Sequence, residues 1–205
     1  MEYSIFTHGN ALQIEDPGNV PDFSHRGWGA QATFYLPSTS TLKDVTVTDT
    51  TGPGSWFHLP LSIEIRSFGV TGPQADSVTL IFRAQFCRIT YLHIYDGYDV
   101  FEEFDFVFNR QEAVQGLTGS FLDARPGTDK NTLRFKKPHR VLYGLGISFY
   151  ACCYAGDVTS WDEQATGKPF PGSVLYVAAA GANINTEVLS LGSRIVAATR
   201  VLLGG

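Results

Sequence analysis

Three histidines fall early in the chain, at His8, His25 and His58, each close to a glycine or an aromatic residue. Three imidazoles brought together by a fold could hold zinc in the open arrangement that activates a water. The i, i+4 spacing of a helical zinc-hydrolase motif is absent, so structural histidines are expected and no metal. A second group, Asp96, Asp99, Glu102, Glu103 and Asp105, crowds a turn. Facing carboxylates can hydrolyse glycosidic bonds or ligate Ca²⁺. Asp96-Gly97 is already hairpin chemistry, however, and the other acids suit solvated strand ends. The three cysteines, Cys87, Cys152 and Cys153, are an odd set without soft ligands at metal spacing. No nucleophile elbow or phosphate loop occurs. The chain is therefore expected to be non-catalytic and to carry no cofactor.

The tryptophans offer a different chemistry. In "HRGWGAQATFYLP", residues 25–37, Gly27 and Gly29 flank Trp28. Glycines there allow a bulge or positive φ, so the indole is expected to cross the end of the fold as a packing corner, with Arg26 stacked on an aromatic or paired to a carboxylate. The rival reading makes Trp28 or Trp56 an exposed platform for a sugar ring or a partner, joined by His58 and by Trp161. The last lies in the long polar stretch 156–172, and structureless stretches of that length are usually functional.

The elements that must position these residues are strands. In "DSVTLIFRAQF" Val78, Leu80, Phe82 and Ala84 share one face, and "RITYLHIYDG" puts Ile89, Tyr91, His93 and Tyr95 on one side. "VLYGLGISFYACCYAG" and "SVLYVAAAGANI" are nearly continuous apolar runs, which predicts central strands. Turn signals such as Asp16-Pro17-Gly18-Asn19, Gly72-Pro73 and Asp96-Gly97 separate the runs. The reading is an all-β, antiparallel β-sandwich, jelly-roll-like, over residues 1–185.

Bulk properties narrow the partners. A net charge of −5 argues against nucleic acid, and the densest basic run, "RFKKPHR" at 134–140, is too short to reverse that. No apolar run reaches the roughly 20 residues of a membrane span. "MEYSIFTHGN" lacks the basic start and apolar core of a secretory signal, so a reducing compartment is the default, with the export route left open. Charged residues make up only 17% of the chain, which suggests that other chains cover part of its surface.

"THGNALQIE" (7–15), "RGWG" (26–29), "WFHLPL" (56–61), "HIYDG" (93–97), "YGLGIS" (143–148) and "AAGANI" (179–184) occur in that order. Together they resemble a family of uncharacterised bacterial and fungal β-sandwich domains carrying HGN, RGWG, WFHxP, YDG, GLGIS and AGA motifs. The resemblance spans about residues 6–184 and implies a β-sandwich without implying an activity. "SFLDARPGTDK" and the 156–172 stretch depart from the pattern, and residues 186–205 look like an added C-terminal extension. That extension carries Val188, Leu191, Ile195, Val196, Val201 and Leu202. Exposed, it would be a sticky strand or helix face, so it is expected to dock on another copy. The leading expectation is a self-assembling homo-oligomer or filament. A carbohydrate-binding module is the alternative, and a hydrolase using paired carboxylates comes third.

Overall fold

The computed structural model describes residues 2–34, 54–63, 70–85, 87–105, 132–153 and 173–188. Their strands, in chain order, are β1 (Glu2–His8), β2 (Gln13–Ile14), β3 (Asp22–Arg26), β4 (Gly29–Thr33), β5 (Gly54–Leu61), β6 (Val70–Gln85), β7 (Cys87–Asp96), β8 (Asp99–Asp105), β9 (Thr132–Arg140), β10 (Leu145–Cys153) and β11 (Val174–Val188). They form two antiparallel sheets packed face to face, the expected all-β sandwich. The larger sheet runs β3-β4-β11-β6-β9, with β1 also paired to β11; the smaller runs β2-β5-β10-β7-β8.

The two apolar runs, now β10 and β11, are the central strands, as their composition predicts. Strand alternation supplies the core from both sheets. Val78, Leu80 and Phe82 of β6 and Leu175 and Val177 of β11 face Phe57 and Leu59 of β5, Leu92 and Ile94 of β7, and Ile147 and Phe149 of β10. Phe57 and Phe149 stack with centroids 5.4 Å apart, and Phe34 meets Phe57 edge-on. One periodicity expectation fails. Ile89 is fully buried in the core, whereas Tyr91, His93 and Tyr95 are half-buried on the other face. The cause is an extra residue, Thr90, which shifts the β7–β10 register between Tyr91 and Ile89 and inverts the alternation.

β11 organises the larger sheet. One edge pairs with β6 along nearly its whole length, while the other serves two strands in turn, β4 against 174–177 and β1 against 179–185. At the changeover Ala178 is bulged out of the β6 register, so Val177 and Ala180 both face the core although three residues apart. The ends of β1 and β4 close over this peptide. A side chain on Gly9 would collide with the Val177 carbonyl, and one on Gly29 would lie 2.9 Å from the Ala178 α-carbon. Gly29 also has φ of 149°, outside the range that other residues adopt comfortably. Thus "HGN", "RGWG" and "AAGA" meet at one point, where two chain segments lie too close to a third to carry a Cβ.

Carboxylates close one side of the sandwich. Between its two stretches of pairing with β6, β9 loops out through residues 135–138 opposite the single residue Asp76. There the Lys136 N–H donates to the buried Glu102 of β8 (3.1 Å), and Phe135 meets Phe101 edge-on. The Asp96 carboxylate, 4% exposed, accepts from the backbone N–H groups of Leu142 (2.8 Å), Tyr143 (2.8 Å) and Gly144 (3.0 Å) and lies 3.0 Å from His139 Nε2. Burial alone pushes its pKa up, but the bonds from Tyr143, His139, Leu142 and Gly144 outweigh that and hold it below the ordinary carboxylate range.

The junction predicts that Gly9→Ala lowers stability by more than about 2 kcal/mol, since overpacked backbone has no side chain to give way. Gly27→Ala, with open space around it, should stay within about 0.5 kcal/mol; urea melts distinguish the two. For Asp96, the depressed folded pKa means that its stabilisation is present above the unfolded carboxyl value of about 3.9 and is lost as pH falls through the folded value. Asp96→Asn should therefore cost about 1.5–3 kcal/mol at neutral pH. Denaturant melts repeated below about pH 4 should show that gap narrowing.

Candidate functional site

The register of the smaller sheet lines up chemistry-bearing residues in three rows across its outer face, opposite the core. One row is Pro60–Gly146–Tyr95, the next Gln13–His58–Ser148–His93–Glu103, and the third Trp56–Tyr150–Tyr91–Asp105. They face outward because Phe57, Leu59, Ile147, Phe149, Leu92 and Ile94, which alternate with them, fill the core. Residues as distant in sequence as His58 and Ser148, 90 positions apart, thereby become direct neighbours.

The third row is aromatic. Trp56 lies 5.6 Å from Tyr150 and 6.4 Å from Tyr91, and it reaches the adjacent row to lie 4.7 Å from the His93 ring. These side chains are half-buried, so they hold one another in place and still present surface. Burial, then Asp105 and Cys152, raises the Tyr91 pKa; burial, then Cys152, Asp16 and Tyr91, raises that of Tyr150. Both phenols therefore stay protonated at neutral pH and can donate hydrogen bonds.

The middle row is polar. His58 Nδ1 lies 2.8 Å from Ser148 Oγ, and its Nε2 lies 3.2 Å from Glu15 Oε2. Because a carboxylate only accepts, Nε2 carries the proton in the neutral ring and Nδ1 accepts from the Ser148 hydroxyl. Beside this chain, Gly146 has no side chain to fill the surface. A depression of about 420 Å³ opens there, lined by Gln13, His58, Pro60, Tyr95, Gly97 and Ser148.

A serine, an imidazole and a carboxylate in hydrogen-bonded order are also the parts of an acyl-transfer site. A developing oxyanion needs free donors about 3 Å away, but Ser148 sits in the middle of β10, which is hydrogen-bonded to β5 on one side and β7 on the other. Its hydroxyl is also nearly buried. The chain Ser148–His58–Glu15 fixes the tautomer and orientation of the His58 ring.

The sequence-derived candidates divide. Trp56 and His58 come together on this face, two residues apart on β5. Trp28 does not join them: it tips the β3–β4 hairpin on the larger sheet, 5.6 Å from Tyr176. At 42% exposure it is not the buried corner expected of it. Gly29 makes the tight packing there, and the indole lies over a strand surface. Arg83 lies over the Tyr176 ring, 5.9 Å from its centroid. Trp161 and the assembly residues Leu191, Ile195, Val196, Val201 and Leu202 lie outside the described residues. Val188 ends β11, paired with Val70, so the sheet runs three residues into the expected extension.

His8, His25 and His58 are dispersed. His8 caps the turn after β1 through Asn10 N–H, His25 packs edge-on to Phe23, and His58 lies on the other sheet. Among the described residues no group of three or more His, Cys, Asp or Glu is placed to hold a metal ion. Of the acidic group, Asp96 and Glu102 are buried sandwich fasteners, while Glu103 and Asp105 rim the face. His93, Tyr91, Tyr95, Tyr150 and Ser148 were not singled out by sequence as site residues. The alternation around Tyr91, His93 and Tyr95 was a visible signal, but the strand order that sets them beside Trp56 was not. No protein-family model matches the chain, nor does any curated protein or solved structure.

An indole lying on one tyrosine contributes about 0.5–1.5 kcal/mol beyond its buried area. With the area term for a half-buried indole added, Trp28→Ala should cost about 2 kcal/mol in a thermal or urea melt, against about 3–5 kcal/mol for a buried aromatic.

Proposed function

We propose that the protein is a non-catalytic carbohydrate-recognition module whose binding surface is the outer face of the smaller sheet. The observation that carries this reading is the adjacency of the two rows. An aromatic row supplies apolar faces for sugar rings, and a polar row two residues further along the same strands supplies fixed donors and acceptors for hydroxyl groups. Trp56 is the anchor, steadied by Tyr150, Tyr91 and His93. His58, with its tautomer set by Glu15, and the phenols of Tyr91 and Tyr150 orient the ligand.

The face is rimmed by Glu15 at one edge and by Glu103 and Asp105 at the other. A sheet face needs little rearrangement to bind, because its side chains are ordered by the backbone ladder before the ligand arrives. Stacking supplies affinity and the polar row supplies selectivity. That division suits a ligand with apolar ring faces and many hydroxyls.

Isothermal titration with short neutral oligosaccharides of glucose, xylose, mannose and N-acetylglucosamine tests this. At least one should bind, and Trp56→Ala should weaken it by about tenfold or more, equivalent to about 1.4 kcal/mol. Trp28→Ala should leave the affinity unchanged. Failure of every sugar to bind, or equal binding by the Trp56 variant, would overturn the reading.

A further inference from the structure

The Asp96 fastening holds two loops together at one end of the sandwich. The Asp96–Asp99 turn and the 141–144 segment are tied by the Leu142, Tyr143 and Gly144 N–H bonds and by Gly97 N–H to the Gly144 carbonyl at 3.0 Å. From these two rigid loops project Tyr98 (83% exposed), Tyr143 (70%), Leu142 (54%) and, at the start of β8, Val100 (39%). Among the described residues only Phe6 and Trp28 are other large apolar side chains of comparable exposure. Four of six are thus gathered at one end, where the backbone is most tightly bonded by a side chain.

Cations stand beside them. Lys136, Lys137 and Pro138 form the wall opposite Val100 in a groove of about 470 Å³, and Arg140 directly precedes the 141–144 segment. With Arg134 this makes four exposed cations on β9, on a chain whose net charge is −5. The carboxylates nearby are Asp99 and Glu103, both exposed, Asp76 opposite residues 135–138, the buried Asp96 engaged by the 142–144 backbone, and the buried Glu102, 3.5 Å from the Lys136 ammonium. The end is therefore apolar at its tip and basic along one flank.

We propose that this end of the sandwich docks on an anionic lipid bilayer. Tyrosine and leucine on a convex, preordered tip suit the interfacial zone, where amphipathic rings are favoured. Lys136, Lys137 and Arg140 would meet acidic headgroups, each exposed cation contributing about a fivefold gain in binding. The Asp96 bonds remove the ordering cost that a flexible tip would bear. The docking side chains differ from those that would contact sugar, although the two surfaces adjoin at Gly97, and the proposal stands independently of the sugar reading.

Vesicle co-sedimentation of the full chain provides the test, with phosphatidylcholine alone and with phosphatidylcholine mixed with phosphatidylserine. The protein should pellet with the mixed vesicles, weakly with the neutral ones, and progressively less as salt is raised. Lys137→Gln should weaken binding about fivefold, and Leu142→Ala with Tyr143→Ala by about tenfold or more. Both variants change exposed side chains and should melt like the parent. Equal binding to neutral and acidic vesicles, no binding to either, or unchanged binding of the double variant would overturn the proposal. So would sedimentation showing that the double variant dissolves a self-associated species, which would put a second copy of the chain on this surface instead.

Discussion

The peptide between Val177 and Ala178 is the constraint on which the larger sheet depends. β11 must offer one edge to β6 and divide the other between β4 and β1. A strand can change partners along one edge only if the two newcomers end without colliding. Here both ends are thinned to glycine, Gly9 and Gly29. The Ala178 bulge inverts the alternation at the changeover, so that Leu175 and Val177 before it and Ala180, Ala182 and Ile184 after it all reach the same core. Small residues from 178 to 182 keep the surrounding strands close.

The smaller sheet solves a different problem. Its strand order, β2-β5-β10-β7-β8, interleaves distant segments, so its outer face is assembled from pieces that share no local sequence. Three rows emerge because the pairing registers of β5, β10 and β7 coincide through His58, Ser148 and His93 and again through Trp56, Tyr150 and Tyr91. The ladder immobilises the backbone beneath them, and the rings immobilise one another above it. On the larger sheet the contact between Trp28 and Tyr176 instead joins the tip of the β3–β4 hairpin to the central strand β11.

Much of this architecture was legible in alternation. Val78, Leu80 and Phe82 face the core as their spacing predicts, and the apolar character of β10 and β11 marks them as central. Bulges were not legible, since an inserted Thr90 or Ala178 looks like any other residue until a partner strand is laid beside it. The site was half legible. Trp56 and His58 declare themselves two residues apart, but the strand carrying Ser148 and Tyr150 between β5 and β7 arrives from far along the chain. The acidic group misled in part, because Asp96 and Glu102 suit a solvated turn by sequence. What buries them is donors from 136 and 139–144, and only the closed sandwich brings those near.

The late position of β11 also governs how the molecule is made. β2, β5, β7, β8 and β10 all lie before residue 154, so the smaller sheet can form on a nascent chain. β1, β3, β4, β6 and β9 are synthesised early as well, yet β1 has no ladder to join, and the β3–β4 and β6–β9 pairs have nothing to unite them, until residues 174–188 emerge. At roughly 5–20 residues per second, Thr7 waits on the order of 10–30 s for Ala180, its partner. Through that interval the edges of β4 and β6 are unpaired on their β11 side, open to misplaced strand pairing until β11 fills the gap.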